Sequence, residues 1–509
     1  MTDWTAGYVA DIGYTYGYYA ELNPLRLGLA FAHAGLAFPR VGTACELGYG
    51  QGLSVNLHAA ASPCSWHGTD FNPSQADFAR ELAADAGSSA RLHDESFADF
   101  CGRPDLPDFD FIGLHGIWSW ISDANRAVIV DFVRRKLRVG GVLYVSYNTL
   151  PGWAAFAPMR HLMTAHAQVL GAEGRGIISR IEGAIDFAER LYATKPAFAR
   201  AQAPGWLAQV KGRSRNYLAH EYFNRDWCPM HFATMAEWLE PARVQFACSA
   251  NYLEHIDTLN FTADQRAFLA DIPNPMFRQT VRDFMVNQQF RKDYWVKGAR
   301  TLSPREQAEA LRAERVVLVT HRPDVPLKVG GALGDATLAE SVYSPLLDLL
   351  ADHRPRTLGE IELALKDGAL PFARIVQAAM VLTGAGHMAP AQNAVSAAQS
   401  CSASERANAW LAGHARDSGD IGYLGSPVTG GGLAVGRVQQ LFLLALRDGR
   451  KKPEDLGAAA WETLAAQGHR LIHEGRPLES PEENLARLSD LARAFAKSQL
   501  PVLKALKAV

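Results

Sequence analysis

The sequence predicts an α/β fold built on an open, mainly parallel sheet with helices on both faces. From about residue 40, short apolar runs alternate with amphipathic segments of helix length, which is typical of strands joined by crossover helices. A glycine-rich turn follows the first apolar run, as expected where a strand passes directly into a helix. The chain has 509 residues, 48% of them hydrophobic and 20% charged, so it is long enough for roughly two to four packed domains.

Five strands are predicted before about residue 150, at 42–47, 65–70, 90–93, 109–115 and 142–147. One helix begins at Asn72-Pro73, because asparagine caps helices and proline fits the first turn, and it stops near Gly87. A later helix over 123–138 carries one apolar stripe, and Gly140-Gly141 closes it.

The segment after the fifth strand is predicted to be a helical insertion, over about 151–225. A helix at 232–239 comes next, and two strands at 244–248 and 258–261 then complete the same sheet. These elements form a predicted first domain of seven strands over 1–300.

Mixed α/β patterns follow this domain. A strand is predicted at 314–321, and Thr357-Leu-Gly-Glu360 is a capping box at the start of a helix. A second helix over about 371–383 leads through Gly386-His-Met388 into a further strand. Two helices and a wing predict a winged-helix-like module at 301–397, followed by a C-terminal domain at 398–509.

The charge balance argues against nucleic acid or an anionic membrane as a partner. The formal net charge is −2, whereas such partners require a large basic surface. Between Tyr343 and Ala397 of the winged-helix-like segment, five acids stand against four bases, so a protein-docking or homodimerisation module is favoured there over DNA binding.

The sequence predicts a cytoplasmic protein without a metal site. We find no signal peptide pattern and no run of about 18 apolar residues. The six cysteines are irregularly spaced without a CxxC pair, which favours free thiols in a reducing compartment. His220, Cys228, His231 and His255 fit no standard zinc-finger spacing.

The glycine-rich turn, Glu46-Leu-Gly48-Tyr-Gly50-Gln-Gly52, predicts a cofactor site. Glycines let the backbone approach a ligand closely. Asp70, at the end of the second strand, can accept hydrogen bonds from both hydroxyls of a ribose. No lysine or arginine lies between Glu46 and Asp70 to neutralise a phosphate, and the turn does not match the G-x-G-x-x-G of dinucleotide-binding proteins. A nucleoside cofactor is therefore favoured over a purely structural turn.

The E-L-G-x-G-x-G pattern and the strand order resemble class I S-adenosylmethionine-dependent methyltransferases. The resemblance implies a Rossmann-like seven-stranded sheet, S-adenosylmethionine as cofactor, and adenine binding after the third strand. For that third-strand segment, a surface turn with Phe97 in the core is the alternative. The implied cofactor-binding residues are Tyr16, Glu46, Gly48, Gly50, Gly52, Asp70, Phe71, Ser96, Phe97 and His115.

Aromatic and amide side chains follow the fourth and fifth predicted strands, where open α/β sheets bind ligands. They lie in Phe109-Asp-Phe-Ile-Gly-Leu-His115-Gly-Ile-Trp118-Ser-Trp120 and in Ser146-Tyr147-Asn148-Thr-Leu-Pro151-Gly-Trp153. Core packing is the alternative for the two tryptophans of the first motif. The candidate catalytic residues are His115, Trp118, Tyr147, Asn148, Trp153, His220 and Glu221.

Together the motifs resemble a bacterial family of methyltransferases with a methyltransferase regulatory domain, whose best-understood members are rickettsial outer-membrane-protein lysine methyltransferases. The matching segments are Tyr14–Pro24, which is similar to the family's lid-like opening, and 220–224, 252–260 and 282–291 in a regulatory region of about 215–300. The resemblance implies a protein-lysine N-methyltransferase whose substrate is an outer-membrane or surface protein before export.

Two other functions remain open from the sequence. In a small-molecule or glycan O- or N-methyltransferase, His115 or His220-Glu221 would be the base for an oxygen nucleophile. The alternative for His220 and Glu221 is a buried, hydrogen-bonded pair that ties the insertion to the sheet. The third function is a non-catalytic regulator that binds S-adenosylmethionine. For a lysine acceptor, an apolar channel lined by aromatic rings favours the neutral amine and stabilises the sulfonium.

Overall fold

A seven-stranded sheet forms the centre of the protein. The computed structural model describes residues 15–171, 176–198, 205–368 and 370–509. The strand order is β3-β2-β1-β4-β5-β7-β6. Strands β1 to β5 pair in parallel, and β7 is antiparallel to both of its neighbours. The bounds are β1 Thr43–Leu47, β2 Ser65–Thr69, β3 Arg91–His93, β4 Phe109–Leu114, β5 Leu137–Asn148, β6 Val244–Ser249 and β7 Phe290–Lys297. The predicted α/β class and its seven-stranded sheet are confirmed.

Fourteen helices of the described residues accompany this sheet. The predicted cap of α3 is present, since the Asn72 side chain accepts hydrogen bonds from the N–H groups of Ser74 and Gln75, and Gly87 ends the helix with a positive φ of 56°. The helices are α1 Arg26–His33, α2 Leu53–Ala61, α3 Pro73–Ala86, α4 Phe97–Gly102, α5 Asp123–Lys136, α6 Leu150–Trp153, α7 Ala157–Val169, α8 Ile177–Ala193, α9 Trp206–Lys211, α10 Arg215–Tyr222, α11 Phe232–Leu239, α12 Asp257–Asn260, α13 Ala263–Ala270 and α14 Pro275–Met285.

The strand predicted at 258–261 is wrong. Those residues lie in and just after helix α12, and the last strand of the sheet is β7 instead. Strand β7 could not be recognised in the sequence, because Arg291 and Asp293 interrupt its apolar pattern. Both are nevertheless buried, and they pair through Nε and Oδ2 at 2.8 Å.

The glycines predicted to close α5 belong to β5. Helix α5 ends at Lys136, and the chain is already extended at Leu137. Gly140 has a φ of +82°, and the register between β4 and β5 shifts between Phe109 and Phe111. The glycine pair therefore accommodates an irregularity within a long strand.

The middle part of the chain has a three-stranded sheet of order β11-β8-β12 and a separate β9-β10 hairpin. The capping box at Thr357 and Glu360 is present as predicted. The winged-helix-like interpretation stays a prediction, and β8 precedes both of the helices on which it depends. The elements are α15 Pro304–Ala313, β8 Arg315–Leu318, β9 Lys328–Gly331, β10 Gly334–Thr337, α16 Glu340–Leu349, β11 Arg356–Thr357, α17 Leu358–Ala364, α18 Phe372–Gly384 and β12 Met388–Pro390.

The C-terminal elements pack directly on the first domain. Leu53 and Leu57 of α2 and Leu82 of α3 share one buried apolar cluster with C-terminal residues such as Leu411 and Leu424. In the described residues, no helix is long and apolar enough to cross a membrane. The elements are α19 Ala394–His414, β13 Tyr423–Ser426, β14 Gly431–Ala434, α20 Arg437–Arg447, α21 Pro453–Ala466, β15 Ile472–His473, β16 Arg476–Pro477, α22 Pro481–Ala494 and α23 Leu500–Ala505.

Candidate functional site

A cleft of about 200 Å³ opens at the carboxyl ends of β1, β2, β3 and β4. Sequence order does not bring these strand ends together, but parallel pairing places them at one edge of the sheet. Eight of the ten predicted cofactor-binding residues line the cleft, and Gly52 and Tyr16 do not. The eight are Glu46, Gly48, Gly50, Asp70, Phe71, Ser96, Phe97 and His115.

The glycine turn after β1 forms the floor of the cleft. Gly48 and Gly50 have φ values of +70° and +59°, a conformation that glycine adopts at little cost. A Cβ on Gly48 would lie 2.5 Å from Cδ1 of Ile117. Gly52, which also has a positive φ, faces away from the cleft: its Cβ would lie 2.5 Å from that of Ala79 in α3. Its observed role is therefore helix packing.

Asp70 connects the second strand to the glycine turn. Its Oδ2 accepts a hydrogen bond from the Gly50 N–H at 2.8 Å, and its Oδ1 accepts one from the Asn72 N–H at 3.0 Å. Each carboxylate oxygen can accept a further bond. Burial raises the pKa of Asp70 to about 6, so the carboxylate predominates at neutral pH.

Glu46 presents a buried carboxyl oxygen without a partner. The residue is 2% exposed, and its Oε2 has no hydrogen-bond partner among the described residues. Burial, and then the nearby Asp70, raise the pKa of Glu46 to about 8. A buried acid in this state is costly unless a donor or a cation meets it. The cleft therefore fits a ligand that carries a positive charge at this point.

His115 lies at the end of β4 under an aromatic cover. The Tyr19 ring stacks on the His115 imidazole with 3.6 Å between centroids and 19° between planes. Nδ1 of His115 lies 2.8 Å from the Tyr144 hydroxyl. Burial lowers the pKa of His115 to about 3, so its imidazole is neutral.

Among the described tyrosines of the N-terminal segment, Tyr19 lines the cleft and Tyr16 does not. Tyr16 instead packs edge-on against Phe78 of α3, with 4.8 Å between ring centroids. Tyr14 lies outside the described residues. The N-terminal segment thus borders the cleft as predicted, but through Tyr19 and not through Tyr16.

Four of the predicted catalytic residues do not line the cleft. Trp118 is 1% exposed, and its Nε1 donates to the sulfur of Met230 at 3.4 Å. The Tyr147 hydroxyl donates to Oδ2 of Asp293 at 2.9 Å. The remaining two are tied through their own contacts: Asn148 donates its N–H to Ser119 Oγ, and Trp153 donates its Nε1 to the Gln289 carbonyl. The contacts of Trp118, Tyr147 and Trp153 engage their side chains, whereas that of Asn148 engages its backbone, and a catalytic role for the four residues stays a prediction.

His220 and Glu221 lie on α10, among the helices of the insertion, and neither lines the cleft. His220 is 3% exposed. Burial raises the pKa of Glu221 to about 7. His220 is buried and Glu221 half-buried, and both a catalytic role and a pair that ties the insertion to the sheet stay predictions.

Five cleft residues that carry charge or an aromatic ring are not among the predicted cofactor-binding or catalytic residues: Tyr19, Tyr49, Glu95, Trp120 and Asp226. Glu95 follows β3 and pairs with Arg103 at 2.6 Å, and its place after a strand end was the available signal. Asp226 comes from the chain after the insertion, so no local pattern links it to the glycine turn.

The cleft is acidic. Glu46, Asp70, Glu95 and Asp226 line it, and none of its described lining residues is lysine or arginine. Apolar surface is supplied by Phe71, Phe97, Ile117, Trp120 and Ile121. The arrangement can hold a cationic, partly aromatic ligand against a glycine turn.

Comparisons with known proteins agree with this geometry. A family described as a predicted methyltransferase regulatory domain matches residues 214–297. An uncharacterised protein of Synechocystis is 39% identical over 511 residues, which cover 99% of both chains. An uncharacterised protein of Rickettsia prowazekii is 25% identical over 304 residues, 54% of this chain and 53% of its own. The solved structure of PKMT2 from Rickettsia typhi in complex with AdoHcy has a TM-score of 0.69 at 14% identity and covers 96% of this chain and 98% of that one.

The sheet order and the glycine turn, with these similarities, define the class: the protein has the fold of the class I S-adenosylmethionine-dependent methyltransferases. Within that class, it belongs to the bacterial family that carries the methyltransferase regulatory domain, as the Synechocystis relative and the match at 214–297 show. The family expected from the sequence motifs is confirmed. The matched segment contains both β6 and β7.

Proposed function

We propose that this protein transfers the methyl group of S-adenosylmethionine to lysine side-chain amines of a protein substrate in the cytoplasm. The observation that carries the proposal is the charge of the cleft. Both reactants are cationic before the reaction. Asp70, Glu95 and Asp226 line the cleft together with Glu46, whose carboxyl loses its proton when a cation meets it, and the described lining includes no lysine or arginine. A cleft of this charge attracts them and disfavours phosphorylated ligands.

The residues present fit the cofactor. Asp70 would accept hydrogen bonds from the ribose hydroxyls with the lone pairs that the Gly50 and Asn72 amides leave free. Glu46 would meet the positively charged methionine end through its unpartnered Oε2. Phe71 and Phe97 supply apolar surface for the adenine. The solved relative that covers nearly this whole chain contains AdoHcy, the demethylated form of this cofactor.

When bound, S-adenosylmethionine supplies a methyl group activated by a positively charged sulfur. The protein's contribution is alignment, which can provide several kcal/mol in displacements of this kind. Tyr19, stacked on His115, closes one side of the cleft and excludes water. Ile117, Trp120 and Ile121 form an apolar wall, which lowers the pKa of an incoming ammonium by desolvation. Asp226 would attract the lysine before its proton is lost.

The bases predicted from the sequence for a hydroxyl acceptor are poorly placed, which supports an amine acceptor. A hydroxyl acceptor needs a general base within hydrogen-bond reach. The imidazole of His115 is covered by Tyr19 and engaged by Tyr144, and His220 and Glu221 do not line the cleft. As the substrate we propose a surface or outer-membrane protein before export, which is the acceptor that the resemblance of the sequence motifs implies.

A methyl-transfer assay tests the proposal. The full chain is incubated with radiolabelled S-adenosylmethionine and total protein from the cell of origin, and labelled bands are hydrolysed and separated by amino-acid analysis. We expect label in methyl-lysine. Label found only in small molecules or polysaccharide would contradict the lysine acceptor. Tight AdoHcy binding with no transfer to any fraction would instead support a non-catalytic regulator.

A further inference from the structure

The N-terminal segment connects the cofactor cleft with a hairpin of the C-terminal elements. Tyr18 and Tyr19 are consecutive residues, and Tyr19 is extended, with φ −119° and ψ 102°. Consecutive side chains of an extended chain point to opposite sides. Tyr19 lines the cleft and stacks on His115, whereas Tyr18 points to the β13–β14 hairpin. A displacement of Tyr18 must therefore move Tyr19.

Tyr18 fits against the hairpin because glycines face it. Its hydroxyl lies 3.2 Å from Nε2 of His58 on α2, and its ring lies 5.3 Å from that of Tyr423. A Cβ on Gly432 would lie 3.0 Å from the Tyr18 ring, and a Cβ on Gly431 would overlap the Tyr18 hydroxyl. The Tyr18 ring thus packs against the hairpin backbone at positions where any side chain larger than that of glycine would collide with it.

Further contacts fix the same segment at both ends. The Tyr19 N–H donates to Ser54 Oγ on α2 at 2.8 Å. At the other end, the Asn23 amide donates to the Thr429 carbonyl in the hairpin turn at 3.0 Å. The hairpin is in turn attached to α2, since Gln392 Nε2 donates to the carbonyls of both Ala61 and Pro427 at 2.7 Å. Helix α2 begins directly after the glycine turn.

We propose that the C-terminal hairpin positions Tyr19 over the cofactor cleft, with Tyr18 and Gly431 as the positioning residues. The inference rests on the proposed function, since the ligand whose affinity it controls is S-adenosylmethionine. It gives residues 423–434 a role in the first domain's site, beyond docking or dimerisation. Affinity for the cofactor then depends on a contact about 400 residues away in the sequence, through one extended dipeptide.

Gly431→Ala in the full chain tests this role, with AdoHcy as the probe in titration calorimetry. The added methyl displaces Tyr18, and we expect the Kd for AdoHcy to rise about tenfold, the scale expected from overpacking a tight contact. Adding Tyr18→Phe to that variant removes the overlapped hydroxyl and should restore most of the affinity. A merely structural defect would not be rescued in this way.

Gly425→Ala is the matched control. Gly425 lies in the same hairpin, and its Cβ would meet Asn408 and Leu57 at an ordinary 3.4 Å, so the Kd should stay at the wild-type value. An unchanged Kd in Gly431→Ala, an equal loss in Gly425→Ala, or the absence of rescue would each overturn the proposal. If Gly431→Ala does not fold, Tyr18→Ala replaces it, since it empties the contact without inserting an atom.

Hydrogen exchange separates this inference from the proposed function. In the absence of any cofactor, the backbone amides of 16–25 should exchange faster in Gly431→Ala than in the wild type and in Gly425→Ala, because the segment loses the packing of Tyr18 on the hairpin. Equal exchange in all three proteins overturns the positioning role. If the wild type does not bind AdoHcy while Gly431→Ala still exchanges faster than the wild type, the cofactor assignment alone is refuted.

Discussion

Replacing Asp70 by alanine should weaken the binding of AdoHcy by roughly a hundredfold. Both Asp70 oxygens already accept one backbone N–H each, from Gly50 at 2.8 Å and from Asn72 at 3.0 Å. The lone pairs left over match the two ribose hydroxyls. Hydrogen bonds to a charged acceptor are worth about 1.5–3 kcal/mol each, so losing two costs at least about 3 kcal/mol.

Titration calorimetry with AdoHcy measures this loss, and Asp77→Ala, at an exposed position of the neighbouring helix α3, is the matched control. The affinity of wild-type protein should also fall as the pH drops below about 6, because burial raises the pKa of Asp70 to that value and protonation removes an acceptor. A Kd for Asp70→Ala within about threefold of the wild-type value refutes the assigned ribose contact, since that is under 1 kcal/mol.

Three further outcomes are expected. Burial raises the pKa of Glu46 to about 8, so its carboxyl is mostly protonated at pH 7, and binding of cationic S-adenosylmethionine should release a proton. Calorimetry in two buffers of different ionisation enthalpy detects this release, and Glu46→Gln should abolish it. Equal binding enthalpies of the wild type in the two buffers would contradict the proton release. Tyr19→Ala should raise the Kd for AdoHcy about tenfold, whereas Tyr19→Phe, which keeps the ring on His115, should bind like the wild type; equal losses in both would argue against a stacking role. Asp226→Asn should raise the KM for a lysine-bearing protein substrate about fivefold without changing the Kd for AdoHcy. The exposed Asp264→Asn is the control. A loss confined to kcat would show that Asp226 does not attract the substrate.

The glycine turn and Asp70 could be predicted because their signals are local. Positive-φ glycines after a strand, and an acid at the end of the next strand, are determined by a few neighbouring residues. Parallel pairing then brings such strand ends together wherever they lie in the chain. This reasoning extends to Phe97 and His115, which follow β3 and β4 and line the same cleft.

Residues whose placement depends on distant contacts could not be predicted in this way. Several tyrosines crowd the N-terminal segment, and the one that faces the cleft is decided by a hairpin some 400 residues later. Strand β7 was missed for a similar reason, since Arg291 and Asp293 look exposed in the sequence. Their burial is tolerated because each has a charged partner.

The contacts of Asp293 and Gln289 also show why the regulatory-domain segment cannot be a detachable module. Residues 214–297 supply β6 and β7, and β7 covers the whole edge of β5 from Val142 to Asn148. Without them β5 would be an unpaired edge strand, which invites aggregation. The same segment holds the residues at the end of β5, because Asp293 accepts from the Tyr147 hydroxyl and the Gln289 carbonyl accepts from Trp153. The segment therefore completes the sheet and fixes the end of β5 beside β4, the strand that His115 follows.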